Sequence, residues 1–335
     1  MKFIHIGDAH LRDQTWANLS SVSGDALKAC QKVHTYAVNN NISVIVLSGD
    51  VFHSSKPTSK DIDVFNHLIE PFTHVLFIEG NHETAKPMWL ESLGHDNIIH
   101  LNPYQGLILD GVTFYGIDYS RSREDLLTGI ENVMKCHPTK KDFLVMHCGF
   151  QHMINFEGAS QLGSSDVSAF PGTVLVSHVH KRKTYKNIHS PGPLFPQNWE
   201  EIGPCLVDII DTSTGEISGL DVTVRDYHVL SHTEVKTFVD TPKELPTVVR
   251  VIINDPNVPV PTIDKCIVVP SIAGTSDVSD SGVSECKCMS IEEAIRAEYE
   301  DDDDSNIMID LYRSDSPKDY IDRLLKDNNI ERRSL

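Results

Sequence analysis

Val44-Ile45-Val46-Leu47-Ser48-Gly49-Asp50-Val51-Phe52-His53 begins as a strand and ends as chemistry. Four consecutive apolar residues, three of them β-branched, read as a strand buried on both faces. The glycine behind them frees the backbone for a tight exit, and aspartate and histidine are metal-ligand types. The same order recurs along the chain. Lys2–Ile6 leads to Gly7-Asp8 and His10, Val75–Ile78 to Gly80-Asn81-His82-Glu83, Phe143–Met146 to His147, and Val174–Val176 to Ser177-His178 and His180. Between these strands, Ala26, Leu27, Cys30, Val33, Ala37 and Val38 fall at helical spacing, as do Ile62, Phe65 and Ile69. Strands alternating with amphipathic helices predict an α/β sandwich. Ligand sites in such sheets gather beyond the carboxyl ends of strands, so the five polar tips are expected to converge on one crevice.

The character changes from about Leu206. Leu206–Ile210 and Ile217–Val224 flank an Asp-Thr-Ser-Thr-Gly turn and predict a hairpin. Thr247–Ile253 and Cys266–Val269 read as strands of a small C-terminal unit. The Ser/Gly/Asp-rich stretch that follows predicts a linker, and two short helices are expected about 290–299 and 316–328. The expected organisation is a main domain over 1–210, a small α+β cap over 211–270, a linker over 271–289 and an acidic helical tail over 290–335.

The formal net charge of −19 is unusual for a chain that grips nucleic acid unaided. Residues 290–335 hold 14 acidic and 7 basic residues, so the tail accounts for −7 of it. Cations held in a site would add positive charge that a residue count omits. No apolar run approaches a bilayer's thickness, and a charge arrives at Lys2, so a soluble cytoplasmic protein is expected, in a bacterial cell or a phage-infected host. Seven scattered cysteines form no zinc pattern; Cys286 and Cys288 lack a second close pair.

Five segments thus supply metal ligands: Asp8-x-His10, Gly49-Asp50, Gly80-Asn81-His82-Glu83, His147 and His178-x-His180. Any one alone is weak, since a lone strand-end aspartate is more often a cap and a lone histidine more often structural. Together, carboxylate, imidazole and amide oxygen suit Mn²⁺, Fe²⁺ or Zn²⁺ better than Ca²⁺ or a thiolate-bound zinc. The Asp-x-His and His-x-His spacings put each pair on one side if the segment is extended. Two close cations that activate a water and hold a phosphate oxygen make a phosphoester hydrolase. His5, His34, His67, His74, His95 and His100 match no motif and read as structural or surface residues.

The five blocks, spanning about residues 4–200, resemble the calcineurin-like metallophosphoesterase superfamily. Within it, Gly49-Asp50-Val51-Phe52-His53-Ser54-Ser55-Lys56-Pro57 is similar to the SbcD and meiotic-recombination-eleven nucleases, which carry Gly-Asp-Leu-Phe-His and then a Lys- or Arg-Pro step. Ser190-Pro191-Gly192-Pro193, with Glu200 and Glu201 downstream, is similar to that family's Gly-Ser-Pro loop. The resemblance implies a four-layer α/β/β/α sandwich with a small cap. It implies two divalent ions, Mn²⁺ foremost with Mg²⁺ or Fe²⁺ as alternatives. Asp8, His10, Asp50 and His180 would hold one, and Asp50, Asn81, His147 and His178 the other, with Asp50 bridging. His82 would stabilise the transition state or protonate the leaving oxygen, and His53 would position the phosphate or nucleotide.

The implied activity is DNA exonuclease and endonuclease cleavage in repair, recombination or phage replication. The implied partners are DNA and a separate SbcC-type coiled-coil ATPase, with two nuclease subunits as a homodimer in a heterotetramer. The tail around Ile321, Leu324 and Leu325 is the segment expected to dock the ATPase. Two positions depart from the family pattern. Glu83 stands where aspartate is usual and is expected to accept from the His82 ring. Ser177 stands where glycine is usual, so the last loop is expected to differ in shape. Glu83 also gives the spelling of protein phosphatases, which with cyclic-nucleotide phosphodiesterases are the rival function. Those phosphatases, however, carry Asp-Arg where this chain has His53-Ser54. A scaffold that has lost its metals is the remaining alternative, and all seven ligand positions are filled.

Overall fold

The computed structural model describes residues 1–16, 19–83, 89–153, 161–241, 243–254 and 259–272. Strand β1 (Lys2–Ile6) leads through the first polar loop to a short hairpin, β2 (Gln14–Trp16) and β3 (Leu19–Ser23). Helix α1 (Asp25–Asn40), β4 (Val44–Leu47), α2 (Ser59–Ile69), β5 (His74–Phe77), the single turn α3 (Trp89–Ser92) and β6 (Ile98–His100) follow. Next come β7 (Leu107–Leu109), β8 (Val112–Ile117), α4 (Arg123–Lys135), β9 (Phe143–His147), β10 (Thr173–Ser177), β11 (Lys183–Tyr185) and β12 (Ile188–Ser190). The described chain ends with β13 (Leu206–Asp211), β14 (Glu216–Asp221), β15 (Tyr227–Ser231), β16 (Val248–Ile253) and β17 (Ile267–Ile272).

Two six-stranded sheets result, in the orders β14-β13-β1-β4-β5-β6 and β11-β12-β10-β9-β8-β7. Within the first, β1, β4, β5 and β6 are parallel; within the second, β12, β10, β9 and β8 are. Side-chain alternation assigns the layers. Ile4, Ile6, Ile45, Leu47, Val75 and Phe77 face α1 and α2, while Phe3, Val44, Val46, Leu76 and Ile78 face the second sheet. On that sheet, Phe143, Val145 and Leu175 point back to the first, and Leu144, Met146, Val174 and Val176 pack under α4. Phe3 meets Phe114 and Phe143 edge-on at 5.2 and 5.0 Å, pinning sheet to sheet. This is the expected α/β/β/α sandwich, in which each central strand is apolar on both faces because each face is covered.

The chain beyond residue 205 differs from expectation in its boundary. β13 pairs antiparallel with β1, and β14 with β13, so the hairpin extends the first sheet and residue 210 falls inside it. The pairing decides this, because β13 continues the hydrogen-bond ladder of β1. The separate sheet starts at Tyr227 and consists of three parallel strands, β15-β16-β17. It is fixed to the β2–β3 hairpin and to the turn at Trp199–Glu201: Trp16 stacks on Tyr227 at 5.0 Å and meets Trp199 edge-on at 4.5 Å. Beside them the Arg225 guanidinium and the Tyr227 hydroxyl both donate to the buried Asp25 carboxylate, at 2.9 and 2.8 Å. Apart from Ser271 and Ile272, which end β17, the expected linker and tail lie outside the described residues. Among the described residues no helix is long and apolar enough to cross a membrane.

Candidate metal centre

The five polar tips lie at the carboxyl ends of β1, β4 and β5 in one sheet and of β9 and β10 in the other. Their donor atoms converge. Asp8, His10 and His180 form one group and Asp50, His147 and His178 another. His10 Nε2 lies 2.9 Å from His180 Nε2, His147 Nε2 and His178 Nδ1 lie 3.0 and 2.8 Å from Asn81 Oδ1, and His178 Nδ1 is 3.2 Å from His147 Nε2. Asp50 Oδ2 stands between the groups, 3.7 Å from His10 Nε2 and 3.4 Å from His147 Nε2. Donors bonded to one ion at about 2.1 Å sit about 3 Å apart along a coordination edge. The spacing fits two cations sharing Asp50.

The charges fit as well. Asp8 and Asp50 are 0% and 2% exposed, and among the described residues no lysine or arginine pairs with either. Buried carboxylates need counter-charge. Burial raises the Asp8 carboxyl above its ordinary range. Burial also works to raise Asp50, but the hydrogen bond and charge of His147, with the charges of His10 and His82, hold it well below that range. His147 and His180 are pushed up to about 9: burial opposes this, and Asp50 for the first and Asp8 with Glu201 for the second outweigh it. His10 is driven well below its usual value by burial and by His180, and His178 falls to about 4 through burial and His147. Two buried acids thus face a ring of imidazoles without a lysine or arginine counter-charge among the described residues, a donor set that divalent ions would suit.

The backbone holds this set in conformations that ordinary residues avoid. Asp8, His10, Asp50, His178 and His180 all have positive φ, between 43° and 102°. Left-handed backbone at a non-glycine residue costs of order 1–3 kcal/mol and clusters at functional sites. It also corrects the expectation that Asp8–His10 and His178–His180 share a side by being extended. Left-handed turns, not pleating, aim both members of each pair. Gly49 and Gly80 are required by close approach: a Cβ on Gly49 would strike the His147 ring, and one on Gly80 the Asp50 carboxylate.

Supporting bonds fix each ligand. His178 N–H donates to Asp8 at 2.9 Å, and His82 N–H to Asp50 Oδ1 at 2.9 Å, leaving Asp50 Oδ2 for the cations. His147 Nδ1 lies 2.9 Å from both the Ser48 carbonyl and Ser177 Oγ, so its Nε2 is the nitrogen turned to Asp50 and Asn81 and able to hold a metal. Ser177 ends β10 without positive φ, and its hydroxyl donates to the Ser48 carbonyl, so serine braces the strand end. His180 Nδ1 faces Glu201 Oε1 at 2.9 Å, and Glu201 also accepts from Gln197 N and Asn198 Nδ2.

Glu83 does not accept from His82. Its carboxylate takes the N–H groups of Asp50, Gly80 and Phe52 at 2.8, 2.7 and 3.2 Å, tying the second and third blocks together. Burial and the Asp50 charge push it up to about 7. The extra methylene lets it reach across to backbone, and His82 Nδ1 donates instead to the His53 carbonyl. The His53 ring stands 5.5 Å from both His10 and His82, with a buried Nδ1 that has no hydrogen-bond partner among the described residues. Burial and the neighbouring Arg12 lower His53 to about 4. Sequence reading missed Arg12, Ser48, Tyr119 and the bracing roles of Ser177 and Glu201. Arg12 donates to Gln197 Oε1 at 2.9 Å while its buried Nε has no partner among the described residues, and Tyr119 packs 5.5 Å from the His178 ring.

Sheet order, left-handed loops and clustered donors with Asp50 between them fit the site of a metal-dependent phosphoesterase, and the calcineurin-like phosphoesterase profile matches residues 1–194. The chain belongs to the calcineurin-like phosphoesterase family. Within the family it is similar to the DNA double-strand break repair protein Mre11 of Sulfolobus acidocaldarius, 26% identical over 258 residues, covering 69% of this chain and 66% of that one. The same-named protein of Haloferax volcanii is 31% identical over 135 residues, 38% of this chain and 30% of that one. The matched stretches therefore span less than two thirds of these relatives' own length. Among solved structures, TT1561 of Thermus thermophilus overlays with a TM-score of 0.46 at 13% identity, covering 66% of this chain and 99% of that one.

Proposed function

We propose that the chain is a DNA nuclease subunit that hydrolyses phosphodiester bonds with two divalent cations, Mn²⁺ in preference to Mg²⁺ or Fe²⁺. The observation that carries the DNA reading is the His53 ring beside His10 and His82, in the position where the rival phosphatases have Asp-Arg. Two relatives named for DNA double-strand break repair support it. Glu83, the residue spelled as in phosphatases, binds backbone amides and does not favour that rival. Convergence of all seven ligand positions disfavours an inert scaffold.

Asp8, His10, Asp50 and His180 would hold one cation, and Asp50, Asn81, His147 and His178 the other. Bound there, the cations would supply Lewis acidity, making a water nucleophilic near neutral pH and taking up charge on a phosphate oxygen. The protein does the rest. Buried walls around Asp8, Asp50 and His147 exclude bulk water from the donor atoms. His82, locked through Nδ1 to the His53 carbonyl, presents Nε2 to the site and can pass a proton to the departing oxygen. Arg12 keeps an unpartnered Nε–H near His53, able to donate to a non-bridging oxygen. By the same resemblance the subunit would act as a homodimer with a separate coiled-coil ATPase, docked through residues 290–335. An ATPase pull-down that survives deletion of 286–335 would remove that part of the reading.

The deciding test offers the purified chain with Mn²⁺ linear duplex DNA, circular single-stranded DNA, a phosphopeptide and a cyclic nucleotide. DNA cleavage that disappears in Asp50→Asn is the expected result. Hydrolysis of the phosphopeptide or cyclic nucleotide without DNA cleavage would move the chain to the rival function.

A further inference from the structure

In a chain of formal net charge −19, the longest unbroken basic run is Lys181-Arg182-Lys183, and Lys186 follows three positions on. The run leaves the His178–His180 loop and becomes β11, an outer edge of the second sheet. Its four cations are not equivalent. Arg182 is committed, with Nη1 2.7 Å from Oδ1 of Asp208, whose Oδ2 faces buried His5. The ion pairs among the described residues include none to Lys181, Lys183 or Lys186. Lys181 and Lys186 are exposed, and Lys183 is partly so.

A pair of rings stands on the same strip. Tyr185 stacks on the exposed His152 with centroids 4.1 Å apart and planes 27° from parallel, and Lys186 Nζ lies 5.3 Å from the Tyr185 ring centre. His152 is five residues past His147, and Tyr185 five past His180. The Cα of each ring residue is therefore at most about 17 Å from the Cα of a metal-site histidine. At about 3.4 Å per base pair along a strand, the backbone of the strip lies within about six base pairs of that histidine's backbone. Lysine on an edge strand also discourages edge-to-edge aggregation. That accounts for the charges, but not for an aromatic pair joined to both metal loops.

We propose that β11 and its turn form a phosphate track, in which Lys181, Lys183 and Lys186 neutralise phosphates of one DNA strand near the metal centre and the His152–Tyr185 pair packs against its sugar or an unstacked base. The track rests on the nuclease reading above. Backbone neutralisation has a signature that other roles lack. Each lysine that displaces a counterion steepens the fall of affinity with salt by about 0.9 in a log–log plot.

The experiment measures binding of a short fluorescein-labelled duplex by the full chain in EDTA, where no cation supports cleavage, between about 50 and 200 mM salt. The triple variant Lys181→Gln, Lys183→Gln, Lys186→Gln should lose about 2.7 from the slope, so its deficit against the unsubstituted chain changes about 40-fold across that range. A charge-matched control, Lys28→Gln, Lys135→Gln, Lys236→Gln, should keep the original slope. Tyr185→Leu should weaken binding of a single-stranded oligonucleotide at least about fivefold. An unchanged slope in the strip variant overturns the track, as does absence of duplex binding by the unsubstituted chain at the low-salt end. Aggregation of the strip variant with an unchanged slope assigns the lysines to edge protection. Cleavage with Mn²⁺ separates the two readings: cleavage with an unchanged slope removes the track alone, whereas no cleavage by the unsubstituted chain removes the nuclease reading.

Discussion

His147 is wholly buried, while His180, its counterpart in the other ligand group, has a quarter of its side chain exposed. The surroundings follow the same division. On the His147 side the braces come from inside the sandwich: the Ser48 carbonyl, the Ser177 hydroxyl and the three amides gathered by Glu83. On the His180 side the brace is Glu201, in a turn whose Trp199 packs against Trp16 and Tyr227 of the third sheet's cluster. One half of the centre is fixed by the core. The other is fixed through a loop that the C-terminal strands hold, and it borders Arg12 and His53. Depth and access are thus divided between two groups of donors with the Asp50 carboxylate between them.

Asp50→Asn should break both halves together, because Oδ2 alone faces donors of each group. Turnover should fall at least about 10³-fold, as expected when cation stabilisation of the transition state is lost. Metal analysis of the dialysed variant should find fewer than two ions per chain. Full loading of that variant would show that the halves are independent. His82→Ala should instead leave both ions bound and cost about 10²–10⁴-fold in turnover, the usual range for a positioned acid or base. A fully active variant would remove His82 from the chemistry.

The halves should separate in Glu201→Gln. An amide still reaches His180 Nδ1 but no longer supplies charge, and loss of such a carboxylate typically costs about 10–100-fold in metal affinity or activity. Titration by calorimetry should show one weakened cation and one unaffected. Equal weakening of both would mean that the depth difference has no energetic consequence. Arg12→Gln tests access without touching a ligand. Loss of a charge-assisted hydrogen bond to phosphate should raise KM for DNA about tenfold with little change in kcat. A fall in kcat at constant KM would instead place Arg12 in the transition state.

Much of this centre was legible because an apolar strand followed by ligand-type residues is a local pattern, repeated at Asp8, Asp50, Asn81, His147 and His178. The α/β alternation followed from strands apolar on both faces, whereas the four-layer order came from the family resemblance. The braces were not legible, because each joins segments far apart in sequence through residues common everywhere. Glu83 was misassigned for the same reason: adjacency to His82 suggested a partner, while the fold brought the Asp50 and Phe52 amides closer. Strand β8, with Thr113, Tyr115 and Gly116 among its six residues, lacks the uninterrupted apolar run that marked its neighbours, and only pairing with β7 and β9 reveals it. The edge hairpin β13–β14 was found as a hairpin, yet its membership of the first sheet depended on β1 lying about 200 residues upstream, a contact no window can show.

The smallest predicted effect tests how far the bracing of the deep half extends. Asp118 accepts from Glu79 N at 2.7 Å, two residues before Asn81, and from His100 Nε2 at 2.9 Å through the same oxygen. Burial lowers the His100 pKa, but the hydrogen bond and charge of Asp118, with Glu79 and Glu91, raise it above its ordinary value. A raised folded-state value means that the pair's stabilisation is complete below about pH 6.5 and fades as pH rises through the raised value. The partly exposed pair contributes at most about 1 kcal/mol. The metal-free chain should therefore lose about 1–3 °C of melting temperature between about pH 6 and pH 9 that His100→Gln does not lose. If both chains follow the same pH curve, the Asp118 bridge contributes nothing through charge. The third polar loop then keeps its Glu79 N–H bond to Asp118, its Glu83 bonds and the sheet without help from the His100 charge.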